Sequence, residues 1–89
     1  PNGKLLKVFL GLDTGVIKDI KITGDFFVHP EEAIEELEKV LVGKRVEEVE
    51  QVINNFFKDK DIEMVGVDKE NIIEAIYNIH KLTAQETQP

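Results

Sequence analysis

The first residues of the chain alternate between hydrophobic and polar with the two-residue period of a β-strand. The alternation predicts a strand over residues 4–12. The apolar positions on one face of that strand are Leu6, Val8, Leu10 and Leu12. The triplet Asp13-Thr14-Gly15 follows and is typical of a tight turn whose last position takes a positive φ. An antiparallel hairpin is therefore expected.

The next run, residues 16–23, is strand-like but less regular. Its core-facing residues are predicted to be Val16, Ile20 and Ile22. Its solvent-facing residues are predicted to be Asp19, Lys21 and Thr23. Lys18 falls on the apolar side and is an exception near the turn. One apolar and one polar face indicate a sheet that is covered on a single side.

This second strand ends in the unusual sequence Gly24-Asp25-Phe26-Phe27. A glycine here permits a bulge or a close approach of two backbones. Neighbouring residues of an extended chain point to opposite sides, so Phe26 and Phe27 need separate partners. A short third strand is expected after Gly24, and the two rings are interpreted either as core residues or as a binding surface.

Three later segments repeat their apolar residues at helical spacing. The first helix is predicted to begin at Pro30, whose missing N–H costs nothing in a first turn, and to end at Gly43. The second is predicted over residues 46–57, and the third after Asp68, a good N-cap. Residues 62–67, around a glycine, are predicted to be a connector. The predicted core faces of the helices are Ala33, Ile34, Leu37, Val40 and Leu41; Val46, Val49, Val52, Ile53, Phe56 and Phe57; and Ile72, Ile73, Ile76 and Ile79.

Together these elements predict an α+β fold with two layers, in which an antiparallel hairpin or three-stranded sheet packs against three helices. We expect one domain over residues 1–82 and a disordered tail over 83–89. At 89 residues the chain is too short for a catalytic cleft and a separate substrate domain.

Charge and composition narrow the possible functions. The formal charge is −7, from 18 acidic and 11 basic residues, which argues against nucleic acid as a partner. No apolar run approaches the roughly 20 residues that span a bilayer, so we expect a cytoplasmic protein without membrane contact. The absence of cysteine excludes disulfides, thiolate metal sites and sulfur-carrier chemistry.

Few residues offer catalytic chemistry. The chain has no serine or cysteine, which leaves four threonines as possible nucleophiles. The least unfavourable catalytic set is Thr23, Asp25 and His29, while His80 lies far away in the sequence. No phosphate-binding glycine loop or metal-ligand spacing is present. We therefore predict no catalytic, cofactor-binding or metal-binding residue. The acidic run of the first helix, interpreted as a solvated face, consists of Glu31, Glu32, Glu35, Glu36 and Glu38.

The sequence resembles the C-terminal accessory domain of lipoate–protein ligases, and in particular its free-standing archaeal form, the small second subunit. The most specific part is Gly24-Asp25-Phe26-Phe27 at the end of the run over 15–27. The other matching parts are the opening Gly-Lys-Leu-Leu-Lys-Val strand, the glutamate-rich helix over 31–42 with its Leu-Val-Gly end, and Val65-Gly66-Val67. Because the resemblance begins almost at residue 1, a ligase divided over two proteins is expected, with this chain as the non-catalytic partner.

The resemblance implies a heterodimer with a large catalytic subunit that uses ATP, Mg²⁺ and lipoate. That subunit forms lipoyl-adenylate and transfers the lipoyl group to a lysine of an acceptor domain, so lipoyl-acceptor domains are indirect partners. The small subunit is expected to be required for adenylate formation. The candidate partner-binding residues are Gly24, Asp25, Phe26, Phe27, Lys18 and Lys21. The alternatives are a stand-alone module that binds a basic partner through Glu35, Glu36 and Glu38, and an enzyme in its own right.

Overall fold

The computed structural model describes residues 6–86, and its first two strands form the expected hairpin. Strand β1 (Leu6–Asp13) pairs antiparallel with β2 (Val16–Gly24). The turn between them is shorter than predicted, because Asp13 stays in the strand and only Thr14 and Gly15 form the loop. Both loop residues have positive φ, 51° and 82°, as the right-handed twist of a two-residue hairpin requires.

A β-bulge in β2 changes which of its residues point into the core, compared with the sequence prediction. Gly11 pairs with Asp19 but Leu12 pairs with Ile17, so Lys18 is an extra residue in β2. The extra residue reverses the alternation, and Ile17, not Val16, enters the core with no exposed surface. The prediction that Val16 shares the buried face of Ile20 and Ile22 was therefore wrong. The bulge also explains why Lys18 broke the pattern.

A second antiparallel ribbon lies beside the hairpin. Strand β3 (Phe27–His29) confirms the short strand expected after Gly24 and pairs with β4 (Glu63–Val65). The segment over 62–67 was predicted to be a connector, and β4 shows that this was wrong. The α+β class is confirmed, with two two-stranded sheets in place of a single sheet of two or three strands.

Three α-helices follow the order expected from the sequence. They are α1 (Ala33–Leu41), α2 (Val49–Lys58), which a short 3-10 helix (Val46–Glu48) precedes, and α3 (Lys69–Glu86). Helix α1 begins at Ala33 and not at Pro30, because Pro30 lies in the preceding turn, where its C=O accepts the Ala33 N–H at 3.1 Å. Among the described residues, no helix is both long and apolar enough to cross a membrane.

The start of α3 confirms the predicted N-cap, and its end lies beyond the predicted start of the tail. Asp68 Oδ1 accepts the Asn71 N–H at 3.1 Å, and Asn71 Oδ1 accepts the Asp68 N–H at 3.0 Å, which confirms Asp68 as the N-cap. The helix runs to Glu86, so residues 83–86 of the predicted tail are helical. Residues 87–89 lie outside the described part of the chain.

The core lies between one face of the hairpin and the three helices. Its buried members are Ile17, Ile20, Ile22, Leu37, Leu41, Val46, Val49, Ile53, Phe56, Ile72, Ile73 and Ile76. Val40 was predicted to belong to this core but is 37% exposed, since it lies at the edge of the apolar stripe of α1. Helices cover only one side of the hairpin, as the predicted two-layer arrangement requires.

Candidate functional site

An open groove of about 370 Å³ lies where β2, β3 and the start of α1 meet. Three of the predicted partner-binding residues, Gly24, Phe26 and Phe27, line it. The other lining residues are Ile22, Thr23, Val28, Glu31 and Ile34. Five of the eight lining residues are apolar, but the exposed surface of the groove is about half polar, which suits contact with a surface that offers both apolar and polar groups.

The two neighbouring phenylalanines have different environments, as the sequence predicted. Phe26 is partly buried and packs against the core. Phe27 begins β3, and 59% of it is exposed. Phe26 therefore anchors the segment to the domain, and Phe27 leaves most of its ring exposed to solvent.

Phe27 has an equally exposed apolar neighbour on the paired strand. Val65 lies directly opposite it in the β3–β4 register and is 58% exposed. Directly opposed residues share a face of the ribbon, so these two side chains stand side by side. On the other face, Val28 is buried and pairs with Met64, which holds the ribbon against the domain. We call Phe27 and Val65 the ribbon patch.

Gly66 brings the end of β4 close to the Gly24–Phe27 segment. Its φ of +96° is a conformation that side chains disfavour. A Cβ at Gly66 would also lie 3.4 Å from Phe26 Cβ and 3.6 Å from the Asp25 carbonyl oxygen. These are ordinary contact distances, so the positive φ, and not crowding, is what favours glycine at the position that directly follows Val65. Val65 was not predicted from the sequence as part of this surface, because β4 is only three residues long and turns only Met64 inward.

The charged residues predicted for partner binding lie outside the groove lining. Lys18 is exposed in the β2 bulge, and Lys21 is exposed opposite Phe9 on the uncovered face of the hairpin. Asp25 is exposed in the segment that joins β2 to β3. The structure therefore brings the aromatic residues and Gly24 together, and leaves the two lysines on a different surface.

Glu38 departs from the solvated acidic face predicted for α1. Its Oε2 accepts the backbone N–H of Ile22 at 2.7 Å in a partly buried contact. This charge-assisted hydrogen bond holds α1 against β2, the strand that forms one wall of the groove. Glu31, in the turn before α1, lines the groove, so the acidic run contributes one structural carboxylate and one at the candidate surface.

The polar groups near the groove are not arranged as a catalytic set. Across residues 6–86, no hydrogen bond joins Thr23, Asp25 and His29, and no group of three or more acidic or histidine side chains is placed to hold a metal ion. The pKa of Glu47 is below its usual range because its own backbone N–H and the Arg45 guanidinium, 3.3 Å away, stabilise the carboxylate. Glu47 belongs to the 3-10 helix and does not line the groove.

Comparisons with known proteins point to one family. Residues 3–76 match the family described as bacterial lipoate protein ligase C-terminus. The chain is 40% identical over 72 residues to lipoate-protein ligase A subunit 2 of Thermoplasma acidophilum, covering 81% of this chain and 76% of that protein. A solved chain with a TM-score of 0.74 and 39% identity covers 80% of both chains. It comes from a structural analysis of an archaeal lipoylation system, a bipartite lipoate protein ligase and its E2 lipoyl domain from the same organism.

Proposed function

The chain belongs to the family of lipoate protein ligase C-terminal domains, and we propose that it is the accessory subunit of a ligase divided over two chains. The observation that carries this proposal is its 40% identity to a protein named as the second subunit of such a ligase. In this role the chain binds a large catalytic subunit and contributes no catalytic group of its own.

The chemistry belongs to the catalytic subunit in this proposal. That subunit uses ATP, Mg²⁺ and lipoate to form lipoyl-adenylate and then transfers the lipoyl group to a lysine of an acceptor domain. The accessory chain favours adenylation because it binds the adenylation-competent state of its partner more tightly than the other states. Each tenfold difference in that affinity shifts the equilibrium by about 1.4 kcal/mol.

The ribbon patch is the proposed centre of the contact with the catalytic subunit. Phe27 and Val65 are exposed, adjacent and bordered by the groove, and aromatic residues of this kind dominate many interfaces. Asp25 is proposed as a hydrogen-bond acceptor at the border of the patch. Lys18 and Lys21 remain predicted contacts for acidic groups of the partner, on the other surface of the hairpin.

Co-migration with the catalytic subunit tests the proposal. The two proteins are mixed at micromolar concentration and separated by size-exclusion chromatography, and we expect one peak that contains both. Separate migration would contradict a two-chain ligase. Variants then locate the contact: Phe27→Ser should weaken the complex, whereas the double variant Glu35→Lys, Glu36→Lys should leave it intact. The opposite result would favour a module that binds a basic partner through the acidic face of α1.

A further inference from the structure

The outer edge of β1 carries backbone groups that no other described residue satisfies. The Ile22 N–H points away from β1, since it donates to Glu38, and Val8 lies directly opposite Ile22. In an antiparallel pair, opposed residues direct their N–H and C=O groups either both inward or both outward. The backbone groups of Val8 therefore point away from β2, and those of Leu10 and Leu12 follow with the two-residue period. Within residues 6–86, the outward groups of these three residues form no hydrogen bond.

The opposite edge of the sheet is protected. Ile17 of β2 donates its N–H to the Lys44 C=O at 2.9 Å and accepts the Gly43 N–H at 2.8 Å. Further along the same edge, the Glu38 carboxylate accepts a hydrogen bond from the Ile22 N–H. Proteins commonly cover strand edges in these ways because an open edge pairs with other chains. The contrast singles out β1 as the edge that is open to strand addition.

A cleft of about 250 Å³ lies between the start of β1 and one face of α3. It is lined by Leu6, Val67, Asn71, Glu74, Ala75 and Asn78. The α3 residues in this list are distinct from Ile72, Ile73 and Ile76, which pack into the core. Helix α3 thus presents a second face next to β1, and the small Ala75 leaves room above it.

We propose that β1 accepts an extended segment of the catalytic subunit as the third strand of the sheet, with a lysine or arginine of that segment in the α3 cleft. The inference rests on the proposed function and adds the mode of docking. Leu6, Val67 and Ala75 suit the apolar stem of such a side chain, and the exposed Glu74 carboxylate suits its charged end. A second copy of this chain fits less well, because each copy carries a formal charge of −7. Leu6 lies opposite Gly24, so the β1 edge is one strand away from the groove beside the ribbon patch.

Amide hydrogen exchange measured by NMR tests the backbone contact directly. The Val8 and Leu10 amides point outward and should exchange at least tenfold more slowly once the catalytic subunit is added, because they gain acceptors. The Phe9 amide faces β2 and is the internal control, with little change expected. Unchanged exchange at Val8 and Leu10 in a formed complex would overturn the inference.

A pair of variants separates the backbone contact from side-chain packing. Val8→Ala keeps the outward N–H, whereas Val8→Pro removes it without breaking a hydrogen bond to β2. We expect Val8→Pro to bind the catalytic subunit about tenfold more weakly than Val8→Ala, with circular dichroism showing that both fold. Equal affinity of the two variants would refute strand addition.

Two further measurements test which protein occupies the β1 edge and the α3 cleft. Ala75→Leu fills the cleft with a good helix former and should weaken the complex, whereas Gln51→Leu on α2 should not; equal effects would contradict the cleft contact. Sedimentation of this chain alone should show a monomer at micromolar concentration. A dimer that Val8→Pro disrupts would replace the proposed occupant with a second copy. If the unaltered chain does not bind the catalytic subunit, the proposed function itself is wrong, whatever the variants do.

Discussion

Replacing Phe27 with alanine should weaken binding to the catalytic subunit far more than it weakens the fold. The residue is 59% exposed, so more than half of its surface is available to a partner. An aromatic side chain can bury roughly 150–250 Å², and about 100 Å² of newly buried ring at ~25 cal/mol/Å² contributes about 2–3 kcal/mol. We therefore expect the Kd to rise roughly 30- to 150-fold.

The cost to the free domain is much smaller. Phe27 contributes mainly its cross-strand pair with Val65, and such pairs are worth roughly 0.2–1 kcal/mol. Phe26 is partly buried against the core, so Phe26→Ala would mix a stability loss of a few kcal/mol, about the size of a buried-ring truncation, with any effect on binding. Phe27 is thus the residue at which function can be separated from folding.

Isothermal titration calorimetry of the complex, together with urea denaturation of the free chain, measures both effects. The matched control is Leu82→Ala on α3, because Leu82 is also 59% exposed but lies on a different element. We expect Leu82→Ala to leave the Kd within about twofold of the original value, a change of less than about 0.5 kcal/mol. If Phe27→Ala and Leu82→Ala bind equally well, the ribbon patch is not the centre of the interface and the reasoning is wrong.

Four other substitutions test the construction of the site. Glu38→Ala removes the acceptor of the Ile22 N–H and should lower the free energy of unfolding by about 1–2 kcal/mol in urea denaturation; an unchanged value would show that the 2.7 Å contact is not stabilising. Gly66→Ala and Gly15→Ala should each destabilise the fold by about 1–2 kcal/mol in thermal denaturation, because both positions have positive φ and a new Cβ would meet at most ordinary contacts; an unchanged melting temperature would contradict the left-handed backbone at that position. Asp25→Asn keeps the shape of the side chain, so it should preserve stability and reduce ATP- and lipoate-dependent pyrophosphate release by the complex; full activity would remove Asp25 from the proposed contact.

The sequence was sufficient to predict the elements that carry a long, regular pattern. Ile72, Ile73 and Ile76 recur at helical spacing behind a strong N-cap, and α3 forms there with these residues buried. The alternation over 4–12 likewise predicted β1. In both places local propensity and tertiary packing favour the same structure.

The features that were missed depend on contacts between distant segments. The bulge at Lys18 is defined by pairing with Gly11 and Leu12, and a single extra residue was enough to exchange Val16 for Ile17 in the core. Strand β4 exists because Glu63–Val65 pairs with β3, more than thirty residues earlier in the chain. A three-residue strand carries too little pattern to be recognised alone.

The candidate site was predicted in part for the same reason. Gly24, Phe26 and Phe27 are consecutive or nearly so, and the unusual sequence that contains them predicted a binding surface there. Val65 joins Phe27 only through the β3–β4 register, and Lys21 lies outside the groove lining although Thr23, on the same side of β2, belongs to it. Which of these residues contact a partner remains a prediction that the variants above test.

Pyrophosphate release tests the central claim most directly. The catalytic subunit is assayed with ATP, Mg²⁺ and lipoate in three mixtures: alone, with this chain, and with this chain carrying Phe27→Ala. This chain by itself is the fourth sample. The account predicts release by the two-protein mixture, little release by either protein alone, and a reduced rate with Phe27→Ala at subunit concentrations near the Kd. Equal release by the catalytic subunit without this chain would contradict an accessory role in adenylate formation.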